Sequence, residues 1–197
     1  KEGSVMAPKT KVTKEMILSA VLEITKKNGF LSVNARSIAA EIQCSTRPIF
    51  TCYANMEQLK ADFLRFAFDY YSEYVENYRK RAACKPYLVF PLSYLEFAEQ
   101  ETHLFHLLFI YDMQLNMRQA SDFYHDVGNE KKAEEFARQL QVSIEKGKRI
   151  FLDLFLYTHG MAVLTATKKL TFQPQYCEEM LESFLSALLQ SEGRCDR

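Results

Sequence analysis

The sequence predicts an all-α protein, and three observations carry that expectation. Glycine and proline are scarce, six and five among 197 residues, so few positions interrupt a helix. Apolar residues recur at spacings of three and four through most of the chain, the period of a helix with one buried face. Nowhere does an alternation of apolar and polar residues compete with that period over the length of a strand.

The elements follow in chain order. Thr13 is placed to cap a first helix, with Glu15 well set for its dipole. Ile17, Ala20, Val21 and Ile24 then fall on one face, and Gly29 ends the helix. Asn34 caps a short second helix whose inward residues are Ile38, Ala39 and Ile42. After Gln43 comes CSTRPIFTCY at 44–53, a third short helix with Ser45 as its cap. Pro48 stands in its first turn, where a missing N–H costs little because those groups have no intrahelical partner. Asn55 caps the fourth helix, and Gln58 completes a capping-box pattern. Its predicted apolar stripe is Leu59, Phe63, Phe66, Tyr70 and Tyr74.

Residues 80–85 break the pattern, and Pro86 opens a fifth helix to about Gln100. The apolar piece 102–111 continues it or kinks from it, and 115–129 is polar and irregular. Residues 131–146 predict a solvated helix with Glu134 and Arg138 as an i, i+4 pair, and Gly147 marks a joint. The segment 148–169 is apolar on nearly every side, through Phe151, Leu152, Leu154, Phe155, Leu156, Tyr157, Met161, Val163 and Leu164. A helix apolar all round needs partners all round. Pro174 opens the last helix, whose face is Leu181, Phe184, Leu185 and Leu188.

Composition narrows the class of protein. With 48% apolar and 25% charged residues the chain reads as a soluble globular protein. Its longest apolar stretch, 150–170, is interrupted by Asp153, His159 and Lys168 and makes a poor membrane span. No hydrophobic run precedes a plausible signal cleavage site. Five cysteines without a metal-type spacing or framework read as reduced thiols, so a cytoplasmic location is expected. No Walker loop, dinucleotide glycine pattern or G-x-S-x-G nucleophile elbow is present, so neither an enzyme nor a cofactor is expected. His103 and His106 share a face with Glu99 but lack an HExxH pattern, and no metal site is expected there. Cys44 and Cys52 bracket the third helix, but a redox pair is not expected from them.

Charge points to the head of the chain. Residues 1–60 hold nine Lys and Arg against five Asp and Glu, net +4, and the remainder carries −4. A basic head on an acidic body suggests a head that meets an anion. Three short helices, the second and third joined by a tight turn, are the layout of a helix-turn-helix. In 44–53, Ile49, Phe50 and Tyr53 are expected to pack on Ile38 and Ile42, leaving Ser45, Thr46, Arg47 and Thr51 outward. Hydroxyls around one arginine at a helix N-terminus suit phosphates and a guanine edge.

At this point the sequence ILSAVLEITKKNGFLSVNARSIAAEIQCSTRPIFTCYANMEQL resembles the N-terminal DNA-binding domain of the tetracycline-repressor (TetR/AcrR) family of bacterial transcription regulators. The resemblance is carried by the first helix ending in Asn28, Gly29 and Phe30, by ARSIAAEI, by CSTRPIFTCY and by NMEQL opening the fourth helix. It covers about a quarter of the chain. Three positions depart from the family: Gln43 where the turn usually has glycine, Phe50 where the recognition helix usually has tyrosine, and Met56 where a lysine is common.

The resemblance implies a DNA-binding domain at 10–57 and a ligand-binding, dimerising domain at 58–192. It implies a repressor that binds a palindromic double-stranded operator as a homodimer and is released by a small molecule. The last two helices would pair with their copies, and the all-round apolar character of 151–164 supports that independently. Expected DNA contacts are Arg36, Ser45, Thr46, Arg47, Thr51, Lys60 and the Tyr53 hydroxyl. An aromatic body suits an apolar or aromatic effector, for which Phe66, Tyr70, Phe105, Phe109, Tyr111, Phe151 and Phe155 are the candidates. The alternative is a helical binding or scaffold protein with a degenerate head, favoured by Phe50, Met56 and the zero net charge.

Overall fold

The computed structural model describes residues 11–111, 117–125 and 128–191. Among these, all regular structure is helical: α1 (Lys14–Asn28), α2 (Ala35–Glu41), α3 (Arg47–Cys52), α4 (Met56–Arg81), α5 (Val89–Gln100), α6 (Thr102–His106), α7 (Asn129–Leu140), α8 (Ile144–Ala166) and α9 (Pro174–Gln190). The chain divides into two compact units between Phe68 and Asp69, inside α4.

The first unit is built on the inward face of α1. Ile17, Ala20, Val21 and Ile24 are buried, together with Ile38, Ala39, Ile49, Leu59 and Phe63. Thr13 caps α1 by accepting from the Met16 amide at 3.2 Å. Asn34 caps α2 in a reciprocal box with Ser37. The start of α4 is held differently from expectation: Asn55 Oδ1 accepts from the Gln58 amide, but the Gln58 side chain accepts from the Ala54 amide rather than from Asn55. Phe30 stacks on Phe63 at 5.6 Å, and Lys14 pairs with Asp62 at 3.0 Å, so α4 is fastened to α1.

The stripe on α4 is turned from the predicted one. Leu59, Phe63, Ala67 and Tyr71 are buried, whereas Phe66 and Tyr70 lie half-exposed at its edge. The aromatic residues led the sequence reading one position aside, because an alanine at the true core position carries little weight in an apolar count.

The second unit is organised around α8, which packs on α5, α6, α7 and α9. Its sequence joint is not at Gly147. The chain turns at Gln141, in a left-handed conformation (φ 57), and Ser143 caps α8 by accepting from the Lys146 amide. Gly147 sits inside α8 for a packing reason: a Cβ there would lie 2.2 Å from Ala137 Cβ and 2.8 Å from Ala137 Cα. Glycine and alanine together let α7 and α8 approach at their joined end. Arg138 pairs with Glu135 at 2.9 Å instead of with Glu134. Part of 115–129 lies outside the described residues; within the rest, Ala120–His125 forms a 3-10 turn that buries Phe123 against Phe155 at 4.8 Å.

The expected consequence concerns Gly147→Ala. Helix propensity alone would stabilise it by about 1 kcal/mol. Overpacking against the backbone of α7 costs about 1–3 kcal/mol and wins. Urea denaturation should show a lowered midpoint, and Gly147→Val a lower one still.

Candidate nucleic-acid interface

The first unit presents α3 through a turn with an unusual residue at its hinge. α2 ends with Ile42, and Gln43 follows with φ 54. The Gln43 amide donates to the Ala40 carbonyl at 3.2 Å and the Cys44 amide to the Ala39 carbonyl at 2.9 Å. That pair of bonds is the Schellman ending of a helix, with glutamine where glycine is most comfortable. The tight turn expected between the two helices is therefore present, and Gln43 adopts the left-handed backbone that a side chain disfavours.

Beyond the turn, α3 is only six residues long, and its orientation is fixed by two anchors. Ile49 is fully buried and Tyr53 is 1% exposed. Three sequence expectations change here. Ser45 does not cap the helix: Thr46 holds the cap position with no side-chain cap hydrogen bond, because its backbone is already helical (φ −71, ψ −17). Tyr53 cannot offer its hydroxyl to phosphate: the oxygen is buried without a hydrogen-bond partner, and Lys14 lies over the ring at 4.6 Å. Burial, aided by the nearby Asp62 charge, raises the Tyr53 pKa. Phe50 does not pack inward; at 51% exposure it stands on the outer face.

The remaining candidates divide by position. Ser45, Arg47 and Thr51 are exposed, and Thr46 is half-exposed beside them. The Thr51 hydroxyl donates to the Arg47 carbonyl at 3.1 Å, leaving its lone pairs outward. Arg36 is exposed in the first turn of α2. Lys60 lies with its ammonium over the Phe30 ring at 5.7 Å, so its stem is held. The two thiols bracketing α3 face different carbonyls, Cys44 that of Ser45 and Cys52 that of Val12. Phe50 was missed as a surface residue because spacing alone cannot say which apolar residues of a six-residue helix find a partner.

The second unit holds two features that bear on ligands. Of the candidate ligand residues, Phe105, Phe151 and Phe155 are buried core, Phe109 is half-buried among rings, and Tyr111 is exposed at the end of a π-helical turn, Leu107–Tyr111. At their centre the Tyr94 hydroxyl meets His159 Nδ1 at 2.9 Å, with Phe155 stacked on the imidazole. Burial lowers the His159 pKa below its ordinary 6.5, because desolvation disfavours the charged ring. The Tyr71 hydroxyl is buried nearby without a partner. A separate cavity of about 400 Å³ lies elsewhere in the unit, its walls including Tyr78, Arg81, Glu96, Glu99, Cys177 and Glu178. Arg81 pairs with Glu96 there and covers the Tyr78 ring at 4.8 Å. Only Glu99 among them stands out in the sequence, beside His103 and His106, since the six come from three helices that no motif connects.

A helix-turn-helix head running through one long helix into a helical second unit is the architecture of the TetR-like regulators. A TetR-like transcriptional regulator from Rhodococcus sp. RHA1 superposes with a TM-score of 0.58 at 16% identity, over 91% of this chain and 96% of that one. Thermus thermophilus FadR, a TetR-family transcriptional repressor in complex with lauroyl-CoA, gives a TM-score of 0.48 at 20% identity over 94% and 97%. The likeness is one of fold. No protein-family model matches the sequence, and no curated protein does.

The turn yields a direct expectation. Gln43→Gly removes about 1–2 kcal/mol of left-handed strain and loses about 0.5–1 kcal/mol to glycine's freedom when unfolded. The urea midpoint should rise modestly, by the equivalent of about 0.5–1 kcal/mol, and a fall would mean the Gln43 side chain holds the turn.

Proposed function

We propose that the protein is a DNA-binding transcriptional regulator that acts as a homodimer on a palindromic operator and is released from it by a small molecule. The observation that carries the reading is the outer face of α3 and the turn that leads into it, where Ser45, Arg47 and Thr51 are exposed and Thr46 half-exposed beside a helix anchored by Ile49 and Tyr53. Such a face suits a major groove, with Arg47 able to meet a guanine edge or a phosphate. Arg36 and Lys60 add positive charge to the same unit.

The dimer reading is supported by the outward faces of α8 and α9. Leu156 is 52% exposed, Leu164 42% and Tyr176 55%, and Tyr157 stacks on Phe184 at 4.3 Å. Gly160 lies on the same side of α8 with nothing within 4 Å of a Cβ built there. An apolar patch around an open glycine suits a second helix pair packed closely against it. Two recognition helices in such a dimer would meet successive major grooves about 34–36 Å apart.

Release would pass along α4, one uninterrupted helix that begins in the first unit and ends in the second. A ligand moves that equilibrium only through different affinity for two head spacings, and a complete switch needs about 5.5 kcal/mol. The cavity of about 400 Å³ is of a size that takes a small organic molecule. Three carboxylates against one guanidinium disfavour an anionic ligand there. The aromatic centre around Tyr94 and His159 is the apolar alternative seat.

Fluorescence anisotropy tests the reading, with DNA from upstream of the gene against scrambled DNA at two salt concentrations. Wild type should bind the first selectively, and Arg47→Ala should weaken it 5- to 150-fold, the equivalent of ~1–3 kcal/mol. Equal weak binding to both DNAs, unmoved by the substitution, would remove the reading head. In sedimentation the wild type should run as a dimer, and Leu156→Glu with Leu164→Glu should run as a monomer with reduced DNA affinity. A monomeric wild type contradicts the paired-helix interface.

A further inference from the structure

We propose that Phe50 reads a base: its ring receives the 5-methyl group of a thymine, so that each operator half-site carries a thymine at a fixed step from the group met by Arg47. The inference rests on the DNA-reading function proposed above and names the base that this helix selects. It begins from the exposure of the ring. The inward positions of α3 are taken by Ile49 and Tyr53, and Phe50 is left half in solvent, in no ring–ring contact among the described residues. Nothing in the fold uses it as core.

Its neighbours say what would cover it. Phe50 follows Thr46 by four residues and Arg47 by three, so the ring shares one helix face with two of the polar groups that would enter a groove. A phenyl ring has no donor or acceptor for phosphate oxygens or for the polar edges of bases. In the major groove the apolar group a base offers is the thymine methyl, and a phenylalanine is one of the side chains suited to it. The contact gains its free energy from removing ring and methyl from water, so it releases no counterions and does not contribute to the salt slope. Arg47 works by charge and hydrogen bonds; Phe50 would discriminate where charge cannot.

Deoxyuridine tests this without altering the protein, since it differs from thymidine only by the methyl. On a duplex that the wild type binds selectively, each thymine is replaced singly and affinity is measured by anisotropy. One thymine per half-site should lose about fourfold, the equivalent of ~0.8 kcal/mol for a buried methyl-sized group. Replacing both symmetric thymines should lose about sixteenfold. Phe50→Ala, at a position outside the core, should weaken binding to the thymine duplex, abolish the difference between thymine and uracil, and leave the salt slope unchanged.

Selective binding that is indifferent to every uracil overturns the proposal and leaves the DNA-reading function standing. A thymine preference that persists in Phe50→Ala assigns the methyl to another residue and also overturns it. Failure of the wild type to bind any duplex selectively removes the DNA-reading function itself, and this inference with it.

Discussion

Much of this structure depends on how its helices are made to stop. Among the described residues, three of them end in the same hydrogen-bonded turn, each with a side chain held in the left-handed region: Gln43 after α2, Gln141 after α7 and Lys168 after α8. In each, two successive amides reach back to the last turn of the helix. Val142 and Gln141 donate to Ala137 and Arg138, and Lys169 and Lys168 donate to Leu164 and Thr165. The carbonyls so satisfied would otherwise be unpaired at the helix end. The fold therefore accepts about 1–2 kcal/mol of strain at each stop in return for sharp reversals. The reversal at Gln43 decides which residues of α3 face outward. The reversal at Gln141 brings α7 back along α8, where Gly147 and Ala137 have just enough room to touch.

These stops also explain where the sequence was legible and where it was not. The helices themselves could be read, because period and caps agree: Thr13, Asn34 and Pro174 open helices as their chemistry predicts. The end after α7 could not, since the usual sign of a helix end is glycine, and here a glutamine takes that conformation. Gly147, the glycine that invited the assignment, serves helix packing instead. On α4 the error had the opposite source. Large aromatic residues attracted the stripe toward Phe66 and Tyr70, while Ala67 occupies the true core position.

The candidate site was legible in outline. Arg47, Ser45 and Thr51 stand exposed where the helix-turn-helix layout puts them. Phe50 and Tyr53 were both expected to pack inward, but a helix of six residues has room for few anchors and only Tyr53 does so. Tyr53 lies under Lys14 in the core, and Phe50 is left in solvent. The cavity of the second unit was not legible at all, because its walls come from residues far apart in sequence that only packing brings together.

The proposed paired head would read a two-fold site on DNA, and selection from a random-sequence duplex library is the decisive measurement. Such a dimer should enrich an inverted repeat whose half-site centres are about one helical turn, about 10–10.5 base pairs, or a multiple of it apart. Repeated rounds that enrich no common sequence, or a single unrepeated half-site, would contradict it.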